Sequence, residues 1–88
     1  MLYLATYNCS DDDRRSRIGE VVAGLSDNSW NVRDDVWVIE SEDHATKLRD
    51  QIRRHLHKDE TVIVALLAGH AAWYGYDRDS EDWLLAHL

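Results

Sequence analysis

The stretch SWNVRDDVWVIES, residues 29–41, decides the fold. It reads as two short strands turning at Asp34 and Asp35. Trp37 and Ile39 face one way and Val36 and Val38 the other, because successive side chains of a strand alternate between its faces. Upstream, Ile18, Val21, Val22 and Leu25 recur at i, i+3, i+4 and i+7, the apolar stripe of a helix that ends at Gly24 and the SDNS run at 26–29. Ser10 followed by Asp13 has the capping-box spacing expected at its start. Downstream, Ala45, Leu48, Ile52 and Leu56 make a second stripe, predicting a helix from Ser41 or Asp43 to about His57.

Outside the two helices lie apolar runs of strand length. Residues 2–8, LYLATYN, suit a sheet interior. TVIVALLAG, residues 61–69 closed by Gly69, reads as a strand covered on both faces. AAWYGY, residues 71–76, follows as an extended segment, and a short helix is expected from about Ser80 with Trp83, Leu84, Leu85 and Leu88. A hairpin between two helices is most simply accommodated by two split strand-helix-strand units. The expected fold is therefore α+β: a ferredoxin-like βαββαβ antiparallel sheet with both helices on one face, plus a C-terminal strand and short helix. Residues 1–88 form one domain, with 1–68 as the core and 69–88 as an appendage. The last core strand lies at an edge of this sheet, and a bare apolar edge invites aggregation. AAWYGY, its own or a partner's, is the expected cover, which places Trp73, Tyr74 and Tyr76 at a dimer interface.

Composition narrows the function classes. At 88 residues, 44% hydrophobic and 31% charged, the chain is globular and small enough to gain from self-association, so a homodimer is expected. The longest apolar run, residues 62–69, is far short of the roughly 20 residues that span a bilayer, so no membrane partner is expected. A single cysteine and no secretory leader point to the cytoplasm. A net charge of −7 opposes sequence-independent attraction to phosphate backbones. Any contact with nucleic acid must be local, and Arg14, Arg15 and Arg17 in one segment and Lys47, Arg49, Arg53, Arg54 and Lys58 in another are where phosphate would sit.

The run YLATYNCSDDDRRSRI, the hairpin DDVWVIES, the amphipathic LRDQIRRHL and the final hydrophobic strand resemble the small second core protein of CRISPR adaptation, the Cas-two family. The likeness covers residues 2 to about 68. The tail AAWYGYDRDSEDWL is similar to bacterial relatives labelled SinR-like, a label that implies no regulatory role. The resemblance implies a ferredoxin-like homodimer acting in nucleic-acid-directed defence. It also implies a divalent-metal site at the end of the first strand, built from one aspartate of each subunit. Here the matching position is Asn8. Magnesium prefers charged oxygen ligands, and the amide removes one negative charge per subunit. Asp11, three positions on, is the candidate to replace it as catalytic and metal-binding residue if a magnesium-dependent nuclease persists.

The residues also permit a structural reading. Asp11, Asp12 and Asp13 occupy a helix start, where the macrodipole favours negative charge, and Asp11 with Arg15 and Asp13 with Arg17 have the spacing of surface ion pairs. Arg14, Arg15 and Arg17, like Arg53 and Arg54, form either a solvated helix face or a nucleic-acid-binding fork. The histidines form no zinc-type pair, Cys9 has no histidine placed beside it by any motif, and no phosphate-binding glycine loop occurs. The leading expectation is a homodimeric CRISPR-associated binding or assembly protein with a weakened or lost nuclease centre and no cofactor. The alternatives are an active magnesium-dependent endonuclease or endoribonuclease, and a toxin-like or defence-system module that binds a protein partner through its acidic surface.

Overall fold

The computed structural model describes residues 1–68 and 70–88. The elements run β1 (Leu2–Asn8), α1 (Asp12–Ala23), β2 (Asn28–Arg33), β3 (Val36–Glu40), α2 (Ala45–Arg53), β4 (Thr61–Leu67) and α3 (Arg78–His87). The four strands form one sheet in the order β2-β3-β1-β4, with every neighbouring pair antiparallel. This is the ferredoxin-like α+β arrangement: the hairpin β2–β3 sits on one side of β1 and β4 on the other. The expectation that Gly69 closes the last strand lies outside the described residues.

Alternation along the strands separates two faces. Ala5 lies between Trp37 and Val64, and Tyr7 opposite Val62, so these side chains share the face that carries α1 and α2. There they pack with Ile18 and Val22 of α1 and Ile52 of α2, all three fully buried, as the predicted stripes require. The Trp37 indole N–H donates to the Tyr7 hydroxyl at 3.3 Å, which satisfies the one polar atom the indole brings into this core. In the hairpin, the Asn31 side-chain amide donates to the carbonyls of Arg33 and Val36 at 2.9 and 3.1 Å, bridging the turn beside the irregular register between Asn31 and Arg33.

The opposite face carries Leu4, Thr6, Val38, Trp30, Ile63 and Ala65, and its cover is uneven. Over the hairpin half, α3 docks: Leu84 is buried, and Trp30 meets Tyr76 edge-on at 5.3 Å and Trp83 at 6.1 Å between ring centroids. Over the β1–β4 half Leu4 is 36% and Ile63 63% exposed. The expectation that β4 is covered on both faces therefore does not hold in the single chain; Leu66, on the helix side, is also 55% exposed.

The tail departs from expectation for a related reason. Residues 70–77 carry no strand assignment, so the expected C-terminal strand is not formed among the described residues, and AAWYGY does not line its own β4 edge. Instead it crosses towards the hairpin. Gly75 has φ +88°, a left-handed turn open to glycine, and it separates Tyr74, 84% exposed, from Tyr76, turned onto Trp30.

Two helix boundaries also differ. α1 is capped by Asp11, whose carboxylate accepts from the Arg14 backbone N–H at 3.1 Å, and not by the Ser10–Asp13 box. The Ser10 N–H is drawn away to Glu60 at 3.2 Å. α2 begins at Ala45, with His44 as its N-cap, and ends at Arg53, short of His57. Beyond it the His55 N–H bonds to the Ile52 carbonyl and the Leu56 N–H to that of Arg53, a tightened turn that swings Leu56 against the core. α3 starts at Arg78 with Asp77 as its cap, the carboxylate accepting from Ser80 N–H at 2.8 Å.

Candidate nucleic-acid interface

β1 delivers its last residue, Asn8, to the rim of the sheet beside Thr61, exposed and on the same face as Leu4 and Thr6. It therefore closes the row that continues into the uncovered β1–β4 half. Two residues on, the chain turns into α1, and the acidic run takes its place there. Asp11 spends its carboxylate on the Arg14 N–H, and that bond is the main reason its carboxyl is held below the usual carboxylate pKa range. Asp12 pairs with Arg15 at 3.0 Å, so the surface pair is i, i+3 and not the expected Asp11 with Arg15.

The donor set at this rim does not fit a firmly held magnesium ion. Asn8 is neutral, and the carboxylate of Asp11 is committed to the helix N-terminus with arginines near it. No group of three or more histidine, cysteine or acidic side chains suited to a metal occurs among the described residues. Cys9 is buried; its thiol donates to the Asp11 carbonyl at 3.6 Å, and its own carbonyl accepts from the Arg15 guanidinium at 3.1 and 3.3 Å.

The arginines divide into anchored and free groups. Arg14 forms a two-pronged ion pair with Glu60, one prong being Nη2 to Oε2 at 2.7 Å, and also donates to the His55 carbonyl at 3.4 Å. Glu60 additionally accepts from the backbone N–H of His57 at 2.7 Å and of Ser10. The guanidinium first, and these N–H groups after it, hold its carboxyl far below the usual carboxylate range, while Arg14 is pushed above its ordinary value by the same pair. This cluster ties the start of α1, the end of α2 and the start of β4 together. Nothing in the sequence marks Glu60 as its centre: 46 residues separate it from Arg14, and neither side chain falls in a recognisable motif.

Arg15 is half-buried over the Cys9 carbonyl, whereas Arg17, Arg53 and Arg54 are exposed. Arg53 reaches Asp50 only at 3.9 Å. Of the arginines singled out in the sequence for nucleic acid, those left available to a ligand are thus Arg17 together with Arg53 and Arg54 around the end of α2. Trp73 and Tyr76 join Leu4, Val32 and Val36 around an apolar hollow of about 330 Å³ on the face that carries α3, and Arg33 stands at its margin. A separate groove of about 460 Å³ runs between α1 and the hairpin; Asp12, Glu20 and Asp34 line it beside Arg15, with Trp37 at its base.

No protein-family model and no curated protein matches the chain. It is similar to a solved structure, that of the hypothetical protein TT1823 from Thermus thermophilus. The TM-score is 0.64 at 22% identity, over 85% of this chain and 90% of that one. At that identity the likeness carries the ferredoxin-like fold and nothing about activity. No helix among the described residues is long and apolar enough to cross a membrane.

Proposed function

We propose that the chain is a homodimeric binding or assembly component of a CRISPR-type, nucleic-acid-directed defence system, in which the nuclease centre is weakened. The observation that carries this reading is the position of Asn8. It stands at the rim of the uncovered half of the sheet, in line with Leu4 and close in the fold to exposed Ile63, where a second copy seated on that face would bring two such residues together. With a carboxylate from each copy, that junction would hold a divalent ion; with two amides it lacks the charge to do so. The apolar β4 at the edge of the sheet and the exposed Ile63 on that face are surface that a second copy would bury.

The test is incubation of the protein and its Asn8→Asp variant with single- and double-stranded DNA and RNA, with magnesium or with chelator. Binding without cleavage by the unaltered protein, and metal-dependent cleavage gained in Asn8→Asp, is the expected outcome. Cleavage by the unaltered protein that vanishes in Asp11→Ala identifies an active magnesium-dependent nuclease instead. Failure to bind any nucleic acid at low salt transfers the reading to a protein partner recognised by the acidic surface.

A further inference from the structure

Val32 and Arg33 are consecutive in β2, yet both line the apolar hollow on the face that carries α3. Neighbours in a regular strand point to opposite faces. The irregular register of the hairpin is the cause. Trp30 pairs with Val38 and Asn31 with Trp37, which puts Asn31 on the helix side, and strict alternation would send Arg33 there as well. The shift between Asn31 and Arg33 instead sets Arg33 opposite Val36, on the face of Leu4 and Trp30. We infer that the hollow is a binding site for a small organic acid, an apolar ring-bearing body with one carboxylate, whose charge is met by Arg33. This inference goes beyond the nucleic-acid reading and does not depend on it.

The chemistry of the lining selects that ligand. Trp30, Trp73 and Tyr76 enclose the space with Leu84 of α3, and aromatic walls favour a further flat ring set edge-on or offset against them. The volume of about 330 Å³ lies in the range of sites that hold small organic molecules. Among the described residues the lining has no carboxylate, amide, serine or threonine side chain to meet the polar edge of a nucleobase, so an apolar body is favoured. Arg33 is the one charged side chain in that lining. It is exposed, and no ion pair engages its guanidinium among the described residues. Asp34, the next residue, lines the groove beside α1 on the other side of the sheet. A planar guanidinium with free donors matches a carboxylate in two-pronged fashion.

Both walls of the hollow are held in place. The Asn31 amide, bonded to the carbonyls of Arg33 and Val36, pins the shifted register that aims Arg33, so its backbone needs no ordering when a ligand arrives. On the far side the left-handed turn at Gly75 sets Tyr76 edge-on to Trp30 at 5.3 Å. Ala71 and Ala72 line the same side, where a larger side chain would fill the space. The hollow lies over the hairpin half of the face, beside the β1–β4 half assigned above to a second copy, and Leu4 borders both. A ligand and a partner therefore have separate ground, a division that the experiment tests.

The experiment is isothermal titration calorimetry of the full chain at neutral pH and low salt with naphthalene-1-acetate and with its amide, two probes of one shape that differ in charge. The wild type is expected to bind the carboxylate about tenfold more tightly than the amide, the scale of one charge-assisted pair. Arg33→Gln should bring the two probes level by weakening the carboxylate alone, and Arg33→Lys should restore part of the preference. Ala72→Phe, at an exposed position, should abolish binding of both probes while Tm stays within a few degrees of the wild type. Equal binding of the two probes by the wild type, a preference that survives Arg33→Gln, or binding that survives Ala72→Phe overturns the inference. Tighter binding of adenosine monophosphate than of the acid overturns it as well, since the hollow would then be a nucleotide site. Binding by Ile63→Lys and not by the wild type overturns it by giving the hollow to a second copy, and absence of binding to both proteins leaves it without a ligand of this class and overturns it too.

Discussion

At the scale of single residues, Glu60 is the most connected polar group in the chain. One carboxylate takes a guanidinium and two backbone N–H groups while nearly buried, so its ionised form is selected by the fold. A carboxyl whose folded-state pKa lies below its unfolded-chain value adds stability above the ordinary value of about 4.3, and that stability is lost as pH falls towards the folded-state value. Glu60→Gln is therefore expected to lower Tm at pH 7. The gap from the wild type should narrow steadily below about pH 4.5, measured by thermal unfolding followed by circular dichroism across pH. A gap that is constant with pH would mean that the amide replaces the ion pair in full. Asn8 behaves in the opposite way: exposed at the rim, it can be changed without touching the core, which is why Asn8→Asp is a clean test of chemistry.

At the scale of elements, the helices of the core and the strands were legible in advance because period and position agree. Ile18 and Val22, and Leu48 and Ile52, are the buried members of stripes that the spacing alone defines. Ile18 has no exposed surface, so Ile18→Ala is expected to cost about 2–5 kcal/mol in urea unfolding, the range for removing a fully buried aliphatic side chain. What could not be read were features set by distant partners. Ser10 lost the capping role to Asp11, whose carboxylate takes the Arg14 N–H, and its own N–H goes to Glu60 rather than Asp13. α2 stopped before His57 where the chain tightens, the His55 N–H reaching the Ile52 carbonyl and the Leu56 N–H that of Arg53, while Arg14 and Glu60 hold the His55 carbonyl and the His57 N–H. The same holds at the candidate site: Asn8 and the exposed Arg17, Arg53 and Arg54 were visible as residue types, but the commitment of Arg14 to Glu60 depends on a contact 46 positions away.

At the scale of the whole molecule, the sheet is asymmetrically dressed. α1 and α2 close one face, α3 closes the hairpin half of the other, and β4 with the adjoining side of β1 is left apolar and bare. A seven-residue edge strand without a bulge, charge or proline is an uncommon liability for a small domain. Ile63→Lys is expected to shift the proposed dimer towards monomer at micromolar concentration in light scattering. Its Tm should stay within a few degrees of the wild-type monomer, because Ile63 is 63% exposed in the single chain. An unchanged molar mass would place the self-association surface elsewhere.

The tryptophans are sorted by side. Trp37 lies under the helices, largely buried and hydrogen-bonded to Tyr7, while Trp30 and Trp83 meet in the seam that fastens α3 and Trp73 borders the hollow beside it. Emission from a Trp37→Phe protein would thus come solely from the region where the tail is attached. The molecule carries its own optical gauge for whether that tail stays home or crosses to a neighbour.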